Sequence, residues 1–336
     1  MKNEKYNSKS KEQIEKTLKN EMEMGEKLKN EHLVNTLLST RINDFYFFLM
    51  ENMEYNSLKS FTDEQINNCS ELLCSYFIYQ CLLGLFYMHT NLIVHRDIKL
   101  ENILLNKNYQ VKLADFSMSL QMTEDSKYLI SRSGTVPYLP PESFIQSNKS
   151  FSSNDKNNNN KTNQAHSHKK YLSVCSSLKK DIFAIGVVMY RLMFKEHPFN
   201  YEYKMDRETY GKILKKTKLN LENKDVTSDC ISFLEGLLKH NVHERFTIQE
   251  ALSHEWIIKT QKIIYALTKG NKFKNKSNLI SLLNDYVYKE DIINLKYDKI
   301  MSDFSTKDSE DKEKEKNFIG QKRRRFEQVN TYTFKG

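Results

Sequence analysis

The sequence predicts an α+β fold in which short strands come early and long helices dominate the remainder. Three observations carry this. Apolar runs (Phe45-Tyr46-Phe47-Phe48-Leu49-Met50, Leu92-Ile93-Val94, Ile103-Leu104-Leu105 and Val111-Lys112-Leu113-Ala114) have the length and composition of strands. Apolar residues at helical spacing fill 70–90 (Leu72, Leu73, Tyr76, Phe77, Tyr79, Leu82, Leu83, Phe86, Met88) and return at 182–192 and 231–238. The 336 residues are 39% hydrophobic and 12% aromatic, enough to bury one large or two small cores.

The net charge of +9 favours acidic partners in a general way but does not identify a nucleic acid. No uninterrupted apolar run reaches membrane-spanning length, and the N-terminus is polar and rich in lysine rather than a signal peptide. Cys69, Cys74, Cys81, Cys175 and Cys230 are odd in number and form no C-x-x-C pair. That pattern predicts reduced thiols in an intracellular protein, cytoplasmic or nuclear.

The densest chemistry lies in His95-Arg96-Asp97-Ile98-Lys99-Leu100-Glu101-Asn102, on a loop between two strand-like runs. A carboxylate (Asp97), a lysine two residues on (Lys99) and an amide five residues on (Asn102) suit phosphoryl transfer. The first orients a hydroxyl, the second offsets phosphate charge, and the third offers an oxygen to a divalent ion. Thirteen residues past Asn102, the strand-like Val111–Ala114 leads into Asp115-Phe116-Ser117. Together these pieces resemble the eukaryotic protein kinase family, with its H-R-D-x-K-x-x-N loop and metal-binding D-F-G. The resemblance implies a two-lobed fold with a mainly helical large lobe. It makes Asp97, Lys99, Asn102, Asp115 and Thr135 catalytic, with Asn102 and Asp115 also holding Mg²⁺ against ATP. Ser117 departs from the family glycine.

Taken in order, residues 11–30 predict an amphipathic helix (Ile14, Leu18, Met22, Leu28) laced with charge pairs. It runs into Asn30-Glu31-His32-Leu33-Val34, similar to the segment after helix C in kinases. The family offset then places the helix C glutamate at Glu21 and its ATP-anchoring lysine at Lys2. The first glycine is Gly25 and the next Gly84, so no G-x-G-x-x-G loop occurs to cradle phosphates. The small lobe is therefore expected to lack its first strands and Gly-rich loop. The expectation is a chain begun at an internal methionine, with those elements encoded upstream.

Phe45–Met50 reads as a buried strand leading to a hinge. By resemblance Met50 is the gatekeeper, the backbones of Glu51 and Met53 meet adenine, and Leu104 belongs to the nucleotide site. After Phe116, Gly134-Thr135-Val136-Pro137-Tyr138-Leu139-Pro140-Pro141-Glu142 is similar to the close of an activation segment, faintly Aurora-like. Ser131 sits where an activating kinase would place a phosphate opposite Arg96. Residues 146–179, with the run Asn157-Asn158-Asn159-Asn160, read as an inserted low-complexity tract without structure. Asp181-Ile182-Phe183-Ala184-Ile185-Gly186 resembles the start of helix F, its acid holding the catalytic-loop backbone. Arg245 resembles the late arginine that pairs with Glu142.

The domain reading is a partial small lobe at 1–53, a large lobe at 54–258, a helical extension at 259–301 and a charged tail at 302–336. The functional expectation is a serine/threonine protein kinase acting on protein substrates, without membrane or nucleic-acid partners. The rival is a pseudokinase scaffold, suggested by Ser117 and the missing Gly-rich loop. A basic nucleic-acid-binding protein would explain none of the ordered motifs.

Overall fold

A computed structural model describes residues 8–43, 45–64, 69–122, 133–144, 162–202, 204–222 and 224–269. These all lie in a unit from Met1–Tyr286; a second unit, Val287–Gly336, is outside the described residues. Lys2, Ser131, most of the extension and the whole charged tail also fall outside them.

The N-terminal part is one helix on one small sheet. Helix α1 (Ser8–Lys27) is followed by the antiparallel pair β1 (Thr36–Ile42) and β2 (Phe45–Met50). Gly25 lets α1 lie directly on β1, since a Cβ there would come within 2.6 Å of Thr36 Oγ1. Glu15 of α1 accepts a hydrogen bond from Arg41 at 2.8 Å, and Glu26 accepts one from Ser39 at 3.2 Å. Among the described residues, no other strand pairs with β2.

This corrects the expectation of a buried strand at Phe45–Met50. Phe45 is 70% exposed, and Phe47, Leu49 and Met50 are also open to solvent, as are Leu38 and Ile42 across from them. The strand forms because its residues suit a pleated surface; α1 covers only one face of a two-stranded sheet. Met50 is thus not packed in a core.

The larger part is built on α3 (Glu71–Thr90), preceded by the short α2 (Leu58–Glu64). Ser70 caps α3 by accepting Leu73 N at 3.2 Å, with Cys69 just ahead of the helix. By length and composition α3 passes for a membrane span, yet most of it is packed inside the protein, with Leu72, Phe77, Leu82, Leu85 and Met88 fully buried. Apolar on nearly every side, it behaves as a core helix.

Short strands then carry the loops. β3 (Ile93–Val94) pairs with β6 (Leu120–Gln121), and β4 (Ile103–Leu105) pairs with β5 (Val111–Leu113). Behind them pack α4 (Thr162–Phe194), α5 (Arg207–Lys216), α6 (Ser228–Leu238), α7 (Ile248–Leu252) and α8 (Glu255–Lys269). Glu71, at the start of α3, is buried and satisfied by three donors. These are Thr227 N at 2.9 Å, Thr227 Oγ1 at 2.6 Å and Trp256 Nε1 at 2.7 Å, which bind α3, α6 and α8 together.

Helix α4 begins at Thr162, so 162–179 is helical rather than unstructured as composition suggested. No Gly or Pro interrupts the chain from Thr162 to Ile185. Once the apolar part of α4 is held in the core, extending it backwards adds a hydrogen bond per residue without a new nucleus.

Candidate active site

The catalytic loop hangs between β3 and β4 and is held from below by α4. Asp181, fully buried, accepts His95 N at 2.9 Å, Arg96 N at 2.9 Å and His89 Nε2 at 2.9 Å. Burial alone would raise its carboxyl; the His89 hydrogen bond and the nearby imidazoles outweigh that and hold it below the usual aspartate range. Asp181 holds the catalytic-loop backbone as the resemblance implies, and His89 is a partner that the sequence reading did not single out. Arg96 takes a left-handed φ of +69°, a conformation that costs energy for a side-chain residue and is kept by these bonds.

Asp97 presents two engaged oxygens. Oδ1 accepts Thr135 N at 3.0 Å and Thr135 Oγ1 at 2.7 Å; Oδ2 accepts Lys99 Nζ at 2.6 Å and Asn102 Nδ2 at 3.1 Å. Lys99 also reaches Thr135 Oγ1 at 3.3 Å. Burial would raise the Asp97 carboxyl, but the bonds from Lys99 and Thr135 hold it below the ordinary value. A depressed pKa keeps it ionised, ready to accept a hydrogen bond from a hydroxyl. Thr135 is brought in by Gly134, whose φ of +116° and close approach to Arg96 O (2.6 Å from a Cβ built there) exclude a side chain.

Asn102 joins the second carboxylate, its Nδ2 lying 3.4 Å from Asp115 Oδ2. Asp115 itself has φ +63°. Ser117 folds back on it: its hydroxyl donates to Asp115 Oδ1 at 2.5 Å and its amide to the same oxygen at 3.3 Å. Among the described residues no three His, Cys, Asp or Glu side chains cluster as a metal cage. The donor set here is a carboxylate and an amide, all hard oxygen ligands. That suits Mg²⁺, which keeps several waters and is completed by substrate phosphates rather than by an all-protein cage. Asp115 and Asn102 fit the ion.

Glu21 of α1 faces this segment. Burial pushes its carboxyl up to about 7, the Asp115 charge adds to the rise, and a hydrogen bond from the Phe116 amide opposes it. Its Oε2 meets no hydrogen-bond partner among the described residues. The predicted partner Lys2 lies outside them. A neighbour the sequence reading missed, Asn20, donates to Phe116 O, Ser117 O and Ser119 O. No local signal marks Asn20, because its partners lie 96 to 99 positions away.

On the nucleotide side, Val34, Met53 and Ala114 form a small apolar cluster with Leu104 packed against it. That brings together two of the predicted nucleotide residues, Met53 and Leu104. The Glu51 carboxylate is spent on Lys112, at 2.7 and 2.8 Å, and on Asn35 N at 2.6 Å, and its amide donates to Asn35 O at 3.0 Å, so its carbonyl is the group it has to offer. The Met53 carbonyl accepts Asn56 N at 2.9 Å, so its amide is the group it has to offer.

The segment after Thr135 is stapled to the helical part. Arg245, fully buried, grips Glu142 through both oxygens at 2.8 and 3.0 Å. His197 holds the same segment, its Nε2 donating to Pro137 O at 2.8 Å. Arg191 lies over the Tyr138 ring, 5.4 Å from its centroid, and hydrogen-bonds its hydroxyl.

A loop that fixes an ionised aspartate between a lysine and a threonine, beside a carboxylate and an amide whose oxygens suit a divalent ion, has the makings of a phosphotransfer site. The protein kinase domain family matches residues 1–156 and 170–257, and the chain belongs to that family. The unmatched 157–169 begins in the asparagine run. The chain is 26% identical over 279 residues to the probable cell cycle serine/threonine-protein kinase CDC5 homolog of Encephalitozoon cuniculi, covering 82% of this chain and 52% of that protein. It is 29% identical over 248 residues to an Aurora kinase of Eremothecium gossypii, covering 74% and 59%. Against serine/threonine-protein kinase PLK4 of Drosophila grimshawi it is 24% identical over 259 residues, covering 75% and 30%. The chain therefore spans at most about three fifths of the length of these relatives.

Proposed function

We propose that this protein transfers the γ-phosphate of ATP to serine or threonine hydroxyls of other proteins. The observation that carries the reading is the seating of Asp97, with Thr135 on one oxygen and Lys99 on the other. A substrate hydroxyl arriving between them meets an ionised acceptor, and Lys99 stands ready to offset charge on the group in transfer. Asp115 and Asn102 are the residues that hold Mg²⁺, which when bound neutralises charge on the ATP phosphates. Val34, Met53, Ala114 and Leu104 supply the apolar bed for the base. The three relatives described above all carry serine/threonine or Aurora kinase names, which favours hydroxyls of those residues.

Ser131 is proposed as the site of an activating kinase, with Arg96 close to where its phosphate would settle. Inside the cell, in cytoplasm or nucleus, is the proposed location; Cys69, Cys74, Cys81 and Cys230 are buried free thiols, as a reducing compartment favours. The intact active-site side chains argue for turnover over a pure scaffold.

The test is transfer of radiolabelled phosphate from ATP to a mixed protein substrate, followed by phosphoamino-acid analysis. Labelled phosphoserine or phosphothreonine that vanishes in Asp97→Asn supports the reading. Label confined to phosphotyrosine, or unchanged in the variant, overturns it.

A further inference from the structure

Three carbonyl oxygens of the segment after Asp115 converge on a single side-chain amide of α1. Asn20 Nδ2 lies 3.2 Å from Phe116 O, 2.9 Å from Ser117 O and 2.9 Å from Ser119 O. An amide nitrogen carries two hydrogens, so the three oxygens share them. The arrangement also fixes which end of the amide faces the segment, since its own oxygen would repel all three acceptors. One turn of chain is thereby tied to a helix that contributes no strand or loop to it.

The segment is tied a second time, to itself. Ser117 places a hydroxyl and an amide hydrogen on Asp115 Oδ1 at 2.5 and 3.3 Å, while the Asn102 amide lies 3.4 Å from Oδ2. Each oxygen of the carboxylate thus has a donor setting its direction. The backbone at Asp115 is in the left-handed region, φ +63°, which costs an aspartate energy and persists only when surroundings hold it. Asn20 grips the residues that follow that strained position. Glu21, the next residue on α1, has one carboxylate oxygen without a hydrogen bond among the described residues. Glu21 otherwise accepts the Phe116 amide, so α1 holds the segment's carbonyls through Asn20 and one of its amides through Glu21.

We propose that Asn20 and Ser117 form a latch that sets the divalent-metal affinity of Asp115. Neither touches the ion or the reacting atoms; both are positioning residues. Asn20 holds the backbone on which Asp115 is mounted, and Ser117 holds the carboxylate in one orientation. A ligand fixed beforehand loses little freedom when the ion arrives, whereas a released Asp115 relaxes its φ and turns away. The proposal rests on the reading of Asp115 as a metal ligand, so the experiment separates the two.

The probe is Mn²⁺ alone, titrated into the whole chain without nucleotide and followed by electron paramagnetic resonance, beside hydrogen exchange of the metal-free protein. Asn20→Asp keeps the shape and removes the donors. It should speed amide exchange at 116–119 without metal and raise the Mn²⁺ Kd by about 10–100-fold, the usual cost of losing an outer partner of a metal ligand. Ser117→Ala should raise the Kd in the same direction, and Ser117→Thr, which keeps the hydroxyl, should restore it. Should Asn20→Asp fail to fold, Asn20→Ser keeps one donor but is too short to span three oxygens, and the same two readings apply. Asp115→Asn must abolish Mn²⁺ binding, leaving the sharp resonance of the free aqueous ion undiminished. If it does, and Asn20→Asp or Asn20→Ser together with Ser117→Ala bind Mn²⁺ as the wild type does, the latch is overturned alone. If Asp115→Asn binds Mn²⁺ normally, the metal reading of Asp115 falls and the latch falls with it.

Discussion

The guanidinium of Arg245 meets the carboxylate of Glu142 edge to edge, both groups buried, across 103 positions of sequence. Arg245 spends its remaining three donors on Lys239 O at 2.9 Å, Lys179 O at 3.0 Å and His240 O at 3.4 Å, and lies over Phe183 with 4.9 Å to the ring centroid. Every polar hydrogen is thus directed at a partner in a dry site. Such a pair contributes little relative to an apolar replacement, but breaking it strands a charge.

Glu142→Ala and Arg245→Ala should therefore each lower unfolding stability by about 3–5 kcal/mol. Urea midpoints at constant slope are the measurement. Wild-type midpoints in both variants would mean the pair is open to water. Arg245→Lys should not restore stability, because an ammonium cannot reproduce the two-pronged contact.

The chemistry is tested by Asp97→Asn and Asp115→Asn in a preparation that turns over. Loss of the general base should reduce phosphate transfer by about 10²–10⁴-fold. Asp115→Asn should do at least as much damage by removing the ion's carboxylate. Circular dichroism should stay native in both, since neither side chain contributes to the core. Retained turnover in either variant would remove the role assigned to that residue.

A pH effect follows from His197. Its Nδ1 accepts Phe199 N at 3.1 Å and its Nε2 donates to Pro137 O at 2.8 Å, so both ring nitrogens are spent in the neutral form. Burial lowers its pKa from 6.5 to about 4, the nearby Arg191 charge lowers it further, and the Pro137 bond opposes the fall. The unfolded chain binds the proton more readily than the folded one between those values. The stability that neutral His197 contributes is complete above pH 6.5 and is lost as pH falls towards 4, up to about 3 kcal/mol. His197→Asn should lower stability at pH 7 and flatten the acid limb. A limb of unchanged steepness would show that other groups drive it.

How much of this was legible in the sequence depends on how far apart the partners sit. Asp97, Lys99 and Asn102 are neighbours in one loop, so their spacing alone points to phosphoryl transfer. Asp115, Thr135, Glu142 and Arg245 could be placed only through the order of motifs, and the structure brings them where the resemblance put them. Asn20 was invisible, since one amide in a charged helix carries no periodic or local signal. Burial was the weakest reading. The residues of Phe45–Met50 determine that a strand forms, but what covers it is decided by chain elsewhere. The start of α4 was hidden for a related reason: composition argues against a core at 162–179, and a helix rooted in a core downstream does not need one there.

The sheet of β1 and β2 gives the last prediction. Leu38 pairs with Leu49, Thr40 with Phe47 and Ile42 with Phe45 across the strands, and this face is turned away from α1. Its five apolar side chains are each more than half exposed, and the outer edge of β2 pairs with no strand among the described residues. An apolar face beside an open edge is a template for association. The 336-residue chain alone should therefore self-associate in a concentration-dependent way, read by sedimentation velocity. Phe47→Lys places a charge in the middle of the face without touching α1, and should shift the distribution towards monomer while circular dichroism stays native. An equally associated variant would locate the contact elsewhere, and a monomeric wild type at tens of micromolar would show that another part of the molecule already covers this face.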